Sequence, residues 1–526
     1  MKKILAVLTV AFLMMGLAAC ASKPPNSIGK TSASESGTTS DESRTATEDT
    51  GSDESSEDTD EVILTGSSGT SETTVATAST TEKSNNKISL SYEKQATDIL
   101  RQDNDLTRRL VYFKITNNNK VAVKDSYLYY KENGKAVKRE IGLIYMNTKV
   151  VYETLWIDAS FKGNLDGTIK NSAGTVLWEG TLSIQPPSSS YTVPKSSITA
   201  LSDIKPMMLR GANYFNRYKC WGNDWSQSDF TKEWTADFKD FTEKLNVNTI
   251  RAFTIFKEPL RLQGYTPRSE TLLKLCNFVE IAGKNKVKLL MCLYGGDPAI
   301  SENMGDNLRF IRGIVEPFQN DGRILMWDLI NEPDPDIQAN YPWGDLGSGG
   351  YLDTFIKTMY PKLQNELAPK HVTCIGTGFK IEKLNKIGIT SQVGSFHGYI
   401  PSDLPSSRVA NSWRTAADTF WNGKKGAFML QEWGYPSEDK NGVEDEAYQL
   451  KVYEGYLPAF RTLYEEGYNI LGSYQWCIYD YPPVTNIVVI ERKNGLIKED
   501  GTVKPAGKYL AEFYKEFAKK VPAPWD

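Results

Sequence analysis

The pattern of apolar and polar residues divides the chain into stretches of different character. Residues 4–17 form one short apolar run, and residues 20–86 contain few large apolar side chains. From 87 to 186 apolar residues alternate with polar ones, as in Leu110–Thr116, which is typical of half-buried strands. From 197 to 526 dense apolar runs alternate with longer stretches of helical period, which indicates strands that are buried on both faces.

The stretch from 197 to 526 repeats one unit, a buried strand followed by a helix. Between two of its apolar runs, the segment Ser269–Ala282 has apolar residues at helical spacing. Eight such units predict a TIM (β/α)8 barrel, and the fold class is therefore α/β. A doubly wound sheet is the alternative, but it normally has fewer units, and the chain has no glycine-rich phosphate turn. The predicted strands are Met208–Asn213, Val247–Thr254, Lys288–Tyr294, Ile324–Glu332, Val372–Gly376, Gly394–Tyr399, Ala427–Glu432 and Ile470–Trp476.

The alternating stretch, residues 87–186, predicts a small all-β sandwich in front of the barrel. Its strands are short, no helical period interrupts them, and Asn133-Gly134 is a hairpin turn signal. The proline- and serine-rich residues 187–196 predict a linker. Aromatic rings on such a sandwich either bind sugar or pack its faces, so a binding module and a spacer both stay open. The rings in question are Tyr127, Tyr129, Trp156 and Trp178.

The amino-terminal residues have the features of an export signal. Lys2 and Lys3 precede the apolar run, which is too short for an ordinary transmembrane span. The segment Leu17-Ala18-Ala19-Cys20 resembles the lipobox of bacterial lipoproteins, which implies cleavage before Cys20 and lipid on that residue. We therefore expect a signal peptide at 1–19 and a lipid-anchored protein in the cell envelope, facing away from the cytoplasm. A plain secretory signal followed by a chance cysteine is the alternative.

Charge is concentrated just after this signal. Residues 31–62 carry eleven acidic side chains and one arginine, a net charge of −10, whereas the whole chain sums to −4. The acidic balance therefore belongs to residues 20–86, which we predict to be a disordered tether because little apolar burial offsets the entropy of ordering. No basic stripe stands out in the remainder, so the composition does not indicate a nucleic-acid partner.

Polar side chains recur where the predicted barrel strands end, which is where a TIM barrel builds its site. Glu332 ends the fourth strand and Glu432 ends the seventh, so two carboxylates lie on opposite walls. Such a pair suits the cleavage of a glycosidic bond, with one carboxyl as proton donor and the other as nucleophile or as base for water. The other strand ends supply Arg251, Asn331, His397, Tyr399 and Trp476.

These strand ends resemble glycoside hydrolase family 5, in clan A, the cellulase and mannanase superfamily. Leu209–Asn213 is similar to the opening strand of that family, Asn331-Glu332-Pro333 to its acid/base signature, and Glu432 in Glu-Trp-Gly to its nucleophile. The resemblance covers residues from about 205 onward and not the sandwich.

The resemblance implies a two-step displacement with retention at the anomeric carbon. Glu332 acts first as the acid and then as the base, which requires its pKa to be raised toward neutral, and Glu432 is the nucleophile. The roles implied for the remaining residues are orientation of the nucleophile by Arg251 and Tyr399, binding of the sugar 2-hydroxyl by Asn331, lining of the subsite by His397 and stacking on the sugar ring by Trp476.

One position departs from the family pattern. A histidine usually follows the third strand, but here Lys288–Tyr294 runs into Gly295-Gly296-Asp297 without one. Tyr294 or Asp297 is expected to fill that space. The departure leaves the substrate open between β-1,4-mannan, β-glucan and another β-glycan, and it leaves room for a neighbouring family of the clan.

Three functions remain open at this point. The first is a retaining β-glycanase that hydrolyses polysaccharide at the cell surface, the second is a non-catalytic glycan-binding lipoprotein, and the third is a transglycosylase. No cofactor or metal is expected, because no cysteine or histidine spacing resembles a zinc site. Small apolar packing inside the barrel is the expected role of Cys276, Cys292, Cys374 and Cys477.

Overall fold

The computed structural model describes residues 81–526 with gaps. The predictions for residues 1–19, for Cys20 and for most of the tether therefore lie outside the described residues. The gaps are 83–87, 94–98, 104–105, 133, 147–150, 159–160, 162, 186–188, 193, 195, 217–229, 255–261, 264, 268, 296–300, 335–344, 379–381, 401–403, 422–425, 440–441 and 482–491.

The amino-terminal part of the described chain is an all-β sandwich, as predicted. Its two sheets share a core of alternating inward side chains, of which Leu90, Phe113, Leu128 and Trp178 are examples. The strands are β1 (Thr81–Glu82), β2 (Ile88–Glu93), β3 (Ile99–Asp103), β4 (Leu106–Asn117), β5 (Val123–Glu132), β6 (Lys135–Ile144), β7 (Val151–Asp158), β8 (Gly163–Asn171), β9 (Val176–Ile184) and β10 (Ser189–Thr192).

One sheet has the order β1-β9-β8-β5-β6, and the other has the order β10-β3-β4-β2 with β7 also paired to β4. Among the described strand pairs of the sandwich only β10 with β3 is parallel. The predicted hairpin is present, since β5 and β6 are antiparallel and Glu132 pairs with Lys135. Two short strands lie outside the predicted sandwich bounds: β1 falls within the predicted tether, and β10 falls within the predicted linker.

The sandwich rings named above fall into two environments. Trp178 is 1% exposed and belongs to the core, so its role is packing. Tyr127 and Tyr129 are half-buried on β5, and the Lys138 ammonium lies 4.0 Å from the ring centre of Tyr127 and 5.7 Å from that of Tyr129. The side chain of Trp156 lies outside the described residues.

The second part is a closed barrel of eight parallel strands, which confirms the predicted TIM barrel. Each strand lies within two residues of its predicted bounds, because a strand buried on both faces must be apolar along its length. The barrel strands, in order around the barrel, are β11 (Leu209–Asn213), β12 (Thr249–Phe253), β15 (Lys288–Tyr294), β16 (Ile324–Asn331), β17 (Val372–Thr377), β18 (Val393–His397), β19 (Phe428–Trp433) and β20 (Ile470–Gln475). A two-stranded hairpin, β13 (Leu262–Gln263) with β14 (Thr266–Pro267), follows β12.

Helices pack around this barrel. Among the described residues, no helix combines the length and the apolar character that crossing a bilayer requires. The α-helices are α1 (Thr231–Leu245), α2 (Ser269–Lys284), α3 (Met304–Val315), α4 (Tyr351–Lys362), α5 (Glu382–Lys386), α6 (Ser406–Phe420), α7 (Glu446–Glu465) and α8 (Pro505–Lys520), with 3-10 turns at Leu201–Asp203 and Glu316–Phe318 and a π-helical turn at Leu363–Leu367.

The end of the barrel at which the strands begin is closed by the residues after α8. Trp525 is 9% exposed, and its indole N–H donates to the carbonyl of Asn248 over 3.0 Å. Asp526 forms an ion pair with Arg210 and accepts a hydrogen bond from the amide of Asn248 over 3.1 Å. Trp525 thereby joins the interior cluster that includes Met208 and Leu209, and this face of the barrel serves stability.

Helix α3 lies between the barrel and the sandwich. Its Arg309 is 1% exposed and donates to Glu153 of β7 over 2.7 Å, to Asp306 over 2.6 Å and to the carbonyls of Ile141 and Leu143 on β6. Buried arginine with this many partners fixes orientation, because the planar guanidinium donates in set directions. The junction between the two domains therefore includes buried polar contacts of fixed direction.

Candidate active site

The two predicted catalytic glutamates lie at the carboxyl ends of two barrel strands. Glu432 is on β19, and its side chain is 8% exposed. Glu332 directly follows β16, and its side chain is 24% exposed. The backbone of Glu332 has φ 46°, in the left-handed region, and its N–H donates to the carbonyl of Gly376 on β17 over 2.7 Å. That bond offsets the cost of a conformation that favours glycine.

His397, at the end of β18, lies between the two glutamates. Its Nδ1 is 2.6 Å from Oε1 of Glu332 and 3.4 Å from Oε2 of Glu432. Each of the three residues has one nitrogen or oxygen atom that could bind a metal ion, and these three atoms lie within 4.8 Å of one another. A metal ion could bridge such a spacing. The same contacts also suit the holding of a proton, since they already join an imidazole to two carboxylates.

Arg251 and Tyr399 hold the carboxylate of Glu432 from two sides. Nη1 of Arg251 donates to Oε1 over 2.5 Å, and the hydroxyl of Tyr399 donates to Oε2 over 3.0 Å. Arg251 is fully buried, and its Nη2 also donates to Asn331 over 2.6 Å. The predicted residues Arg251, Asn331 and Tyr399 therefore meet around Glu432, and both oxygens of this carboxylate have a fixed direction.

The three central groups perturb one another. Burial raises the pKa of Glu432, and the positive charges of His397 and Arg251 offset only part of this increase. Burial also acts to raise the pKa of Glu332, but the charge and hydrogen bond of His397 outweigh it and lower the pKa of this carboxyl. Burial acts to lower the pKa of His397, and the two carboxylates outweigh that effect and raise it. The pKa of Glu332 therefore shifts in the direction opposite to the expected rise, because the neighbouring imidazole stabilises its carboxylate form.

Trp476 lies beside the site at the end of β20. It is 6% exposed and packs edge-on against Phe215, with 5.4 Å between ring centres. Tyr399 packs against the same aromatic cluster. The ring is thus held in place by packing, and its stacking on a sugar stays a prediction.

The space after the third strand is not filled by Tyr294. This residue is fully buried, donates to Asn307 of α3 over 3.1 Å and packs against Phe310 and Phe355 in the helix layer. The expectation that Tyr294 replaces the missing histidine is therefore wrong, because its side chain packs among helices instead of in the cleft. Asp297 lies outside the described residues.

Two polar residues beneath the site were missed in the sequence. Asn213 accepts from Arg251 over 3.2 Å and donates to the carbonyl of Gln431 over 3.0 Å. Asp328 accepts from Arg251 over 2.9 Å and is fully buried. Asp328 had a visible signal, since it is the one charged residue in the apolar run Ile324–Ile330. Asn213 had none beyond its position at a strand end.

Four cysteines fall within the described residues: Cys276, Cys292, Cys374 and Cys477. All four are buried, as the expectation of small apolar packing requires. Two of them lie near the site: Cys292 is 3.7 Å from Nη2 of Arg251, and Cys374 is 3.6 Å from the amide nitrogen of Gln431. Burial raises the pKa of the Cys292 thiol, which disfavours its reactive thiolate form.

Comparison with known proteins gives structural likenesses only. No family model matches the chain, and no curated protein matches it. Bacteroides uniformis β-glucuronidase 2 aligns at 13% identity and a TM-score of 0.43 over 82% of this chain and 50% of its own. A GH5_18 protein from Streptomyces cattleya in complex with GlcNAc aligns at 16% and 0.47, over 61% of this chain and 82% of its own. An exo-β-1,4-mannosidase from Opitutaceae bacterium strain TAV5 aligns at 20% and 0.47, over 64% of each.

The chain thus spans about half the length of the first of these glycosidases. At identities below 25% and TM-scores below 0.5, the likenesses place glycoside hydrolases among the similar structures and assign no substrate. Membership of family 5 stays a prediction.

Proposed function

We propose that this protein is a retaining glycosidase that hydrolyses β-linked polysaccharide, of the β-1,4-mannan or β-glucan type, at the cell surface. The observation that carries the proposal is the placement of Glu332 and Glu432 on facing strand ends, joined through His397. One carboxylate oxygen of Glu332 and one of Glu432 lie within 4.8 Å of each other. This spacing favours retention, which needs carboxyls about 5–5.5 Å apart, over inversion, which needs about 6.5–9.5 Å.

The first step forms a covalent intermediate. A carboxylate oxygen of Glu432 attacks the anomeric carbon while the bond to the leaving oxygen breaks and that oxygen takes a proton from Glu332. His397 is placed to supply this proton, because its Nδ1 is 2.6 Å from Glu332 and the two neighbouring carboxylates raise its pKa. The hydrogen bonds from Arg251 and Tyr399 keep the attacking carboxylate in one orientation.

The second step releases the sugar. Glu332, now ionised, takes a proton from an incoming water, whose oxygen attacks the anomeric carbon as the bond to Glu432 breaks. A sugar hydroxyl in place of water would make the protein a transglycosylase. Mass spectrometry of the products separates the two outcomes, since only transfer yields oligosaccharides longer than the substrate.

The test is chemical rescue of a nucleophile variant. Glu432→Ala should lose nearly all turnover on an aryl β-glycoside, and added azide should restore it as a glycosyl azide of opposite anomeric configuration to the wild-type product. Glu332→Ala is the matched variant, for which azide should give the same anomeric configuration as the substrate. Absence of rescue in both variants contradicts the proposed mechanism.

Assays of reducing-end release on purified β-mannans and β-glucans then identify the substrate. No release from any of these with the wild-type protein, together with binding to one of them, favours the non-catalytic alternative. The surface location is tested separately in cells by detergent phase partition: the wild-type chain should enter the detergent phase, and Cys20→Ser should not.

A further inference from the structure

One buried carboxylate lies beneath both glutamates and takes no part in either proposed catalytic step. Asp328 lies within β16, four residues before Glu332, and is fully buried. Its Oδ2 accepts from Nη2 of Arg251 over 2.9 Å and from the side-chain amide of Gln431 over 2.9 Å. Its Oδ1 accepts from the backbone N–H of Gly376 over 2.9 Å. A buried charge of this kind is costly unless it is fully partnered, and this one is.

Asp328 is connected to each glutamate through one intermediate group. Arg251 donates with one nitrogen to Asp328 and with the other to Glu432, so the two carboxylates share one guanidinium. The peptide of Gly376 donates its N–H to Asp328, and its carbonyl accepts from the N–H of Glu332. The position of the nucleophile and that of the acid therefore both depend on the same side chain.

The glycine in this arrangement is required by space. A Cβ atom on Gly376 would lie 2.0 Å from Oε1 of Gln431 and 3.1 Å from Oδ2 of Asp328. The neighbouring strand β17 therefore has no side chain at the point where the Asp328 carboxylate meets the Gln431 amide. This indicates an arrangement built around the carboxylate.

The charge of Asp328 acts on Glu432 as well. Arg251 carries one positive charge at any relevant pH, and two carboxylates divide its attraction. A carboxylate that is alone with a buried guanidinium would be stabilised more strongly as the anion and would be the weaker nucleophile. The titratable groups around Glu432 and Arg251 are Cys292, Asp328, Glu332, Cys374, His397, Tyr399 and Tyr474.

We propose that Asp328 is a positioning residue for the reaction, which holds Arg251 and the Gly376 peptide in place and offsets part of the guanidinium charge at the nucleophile. The proposal rests on the glycosidase function proposed above. It extends that function by a residue that does not touch the substrate.

The test is the pH dependence of Asp328→Asn. The substitution keeps the shape and removes the charge, and its amide N–H2 must face one of the three donors. We expect kcat/KM to fall by about 100-fold through misplacement of the glutamates. We also expect the acid limb of the kcat/KM profile to move to lower pH by about one unit, because Arg251 then lowers the pKa of Glu432 further. A loss of activity with an unmoved limb, or no loss, overturns the proposal.

A matched control lies just before the same strand, at the opposite end of the barrel. Asp321 is also fully buried, and it also accepts three hydrogen bonds from N–H groups, all from Arg323. Asp321→Asn should lower the thermal midpoint, while kcat/KM and both limbs of its pH profile stay unchanged. Loss of activity in this control would mean that any buried aspartate gives the same effect, and would overturn the proposal.

A second variant covers the case in which Asp328→Asn does not fold. Gln431→Met removes one of the donors to Asp328 and keeps the negative charge. We expect kcat to fall by about tenfold with the acid limb unmoved, and an unchanged kcat overturns the positioning role. All comparisons use a substrate that the wild-type protein hydrolyses, so failure of the proposed function appears first, as an inactive wild type.

Discussion

At the scale of single residues, His397 links the two glutamates of the site. It contacts Glu332 over 2.6 Å and Glu432 over 3.4 Å, and its side chain is fully buried. The basic limb of activity should therefore report the loss of one proton from the Glu332–His397 pair and not from a lone carboxyl. Because the pKa of His397 is raised, this proton is lost above the ordinary range of histidine.

The corresponding prediction concerns His397→Asn. Without the imidazole, Glu332 alone must hold the proton, and burial then raises the pKa of this carboxyl, though to a value below that of the original pair. We expect the basic limb of kcat/KM to move to lower pH, measured on an aryl glycoside with a poor leaving group. With a dinitrophenyl leaving group, which needs no proton, the wild-type and variant basic limbs should coincide.

The control is Tyr399→Phe. Its hydroxyl contacts Glu432 and not the pair, so the basic limb should stay in place while kcat falls. A basic limb that moves equally in both variants contradicts the role assigned to His397.

Sequence predicted the residues at strand ends and missed the residues beneath them. Glu332 and Glu432 were found because a charged side chain at the end of an apolar run is conspicuous, and Arg251 was found because it lies near the end of a predicted strand. Asp328 and Asn213 lie deeper, and their partners come from strands that are distant in sequence. Contacts of that kind depend on barrel closure, which no local pattern encodes. The lowered pKa of Glu332 was missed for the same reason.

At the scale of elements, the eight strands were predictable and their surroundings were less so. Period and burial fix where β15 and β16 lie, because both faces of each strand must be apolar. The family resemblance, and not this pattern, suggested Tyr294 or Asp297 for the space of the missing histidine, and Tyr294 instead packs against α3 and α4. Alternation alone does not determine the facing of the last residue in a strand that twists.

Trp525 provides a prediction at this scale. Its ring closes the interior at the end where the strands begin, far along the chain from any strand that it contacts. Trp525→Ala should lower the free energy of unfolding by about 3 kcal/mol, because it leaves a cavity in the barrel interior and removes the hydrogen bond to the carbonyl of Asn248. Denaturant titration measures the loss, and kcat at 25 °C should be unchanged.

Tyr509→Ala on α8 is the comparison for this variant. Tyr509 is 37% exposed, so its truncation should change the unfolding midpoint little. An equal destabilisation by both variants would show that Trp525 does not act as a closure of the barrel.

At the scale of the whole molecule, the sandwich is attached to the barrel by buried charge. Arg309 joins α3 to β6 and β7 through three hydrogen-bond partners, Glu153 and the carbonyls of Ile141 and Leu143, and Arg139 pairs with Glu316 across the same junction. No sequence pattern indicated these contacts, because arginine on an amphipathic helix normally faces solvent. The sandwich is therefore better described as a domain fixed against α3 than as a binding module on a flexible linker.

Arg309→Met should destabilise this junction. Removal of the guanidinium leaves Glu153 buried with only Arg312, at 3.5 Å, and leaves two carbonyls without their donor. We expect the free energy of unfolding to fall by about 3 kcal/mol and proteolysis to separate the two domains more easily. Thermal unfolding and limited digestion measure these two effects. Arg414→Met removes an exposed pair with Glu466 and should change neither measurement. Equal effects of Arg309→Met and Arg414→Met would contradict the role of the buried Arg309 in holding the two domains together.

The pairing of β11 with β20 has a consequence for biosynthesis. Leu209 lies beside Gly472, whose missing side chain allows the two backbones to approach, since a Cβ there would lie 2.0 Å from the Leu209 carbonyl. The ring of strands is complete only when residues up to 475 have left the ribosome. Until then the barrel stays open between β11 and β20, so we expect the complete arrangement around Glu332 and Glu432 to form only late in synthesis.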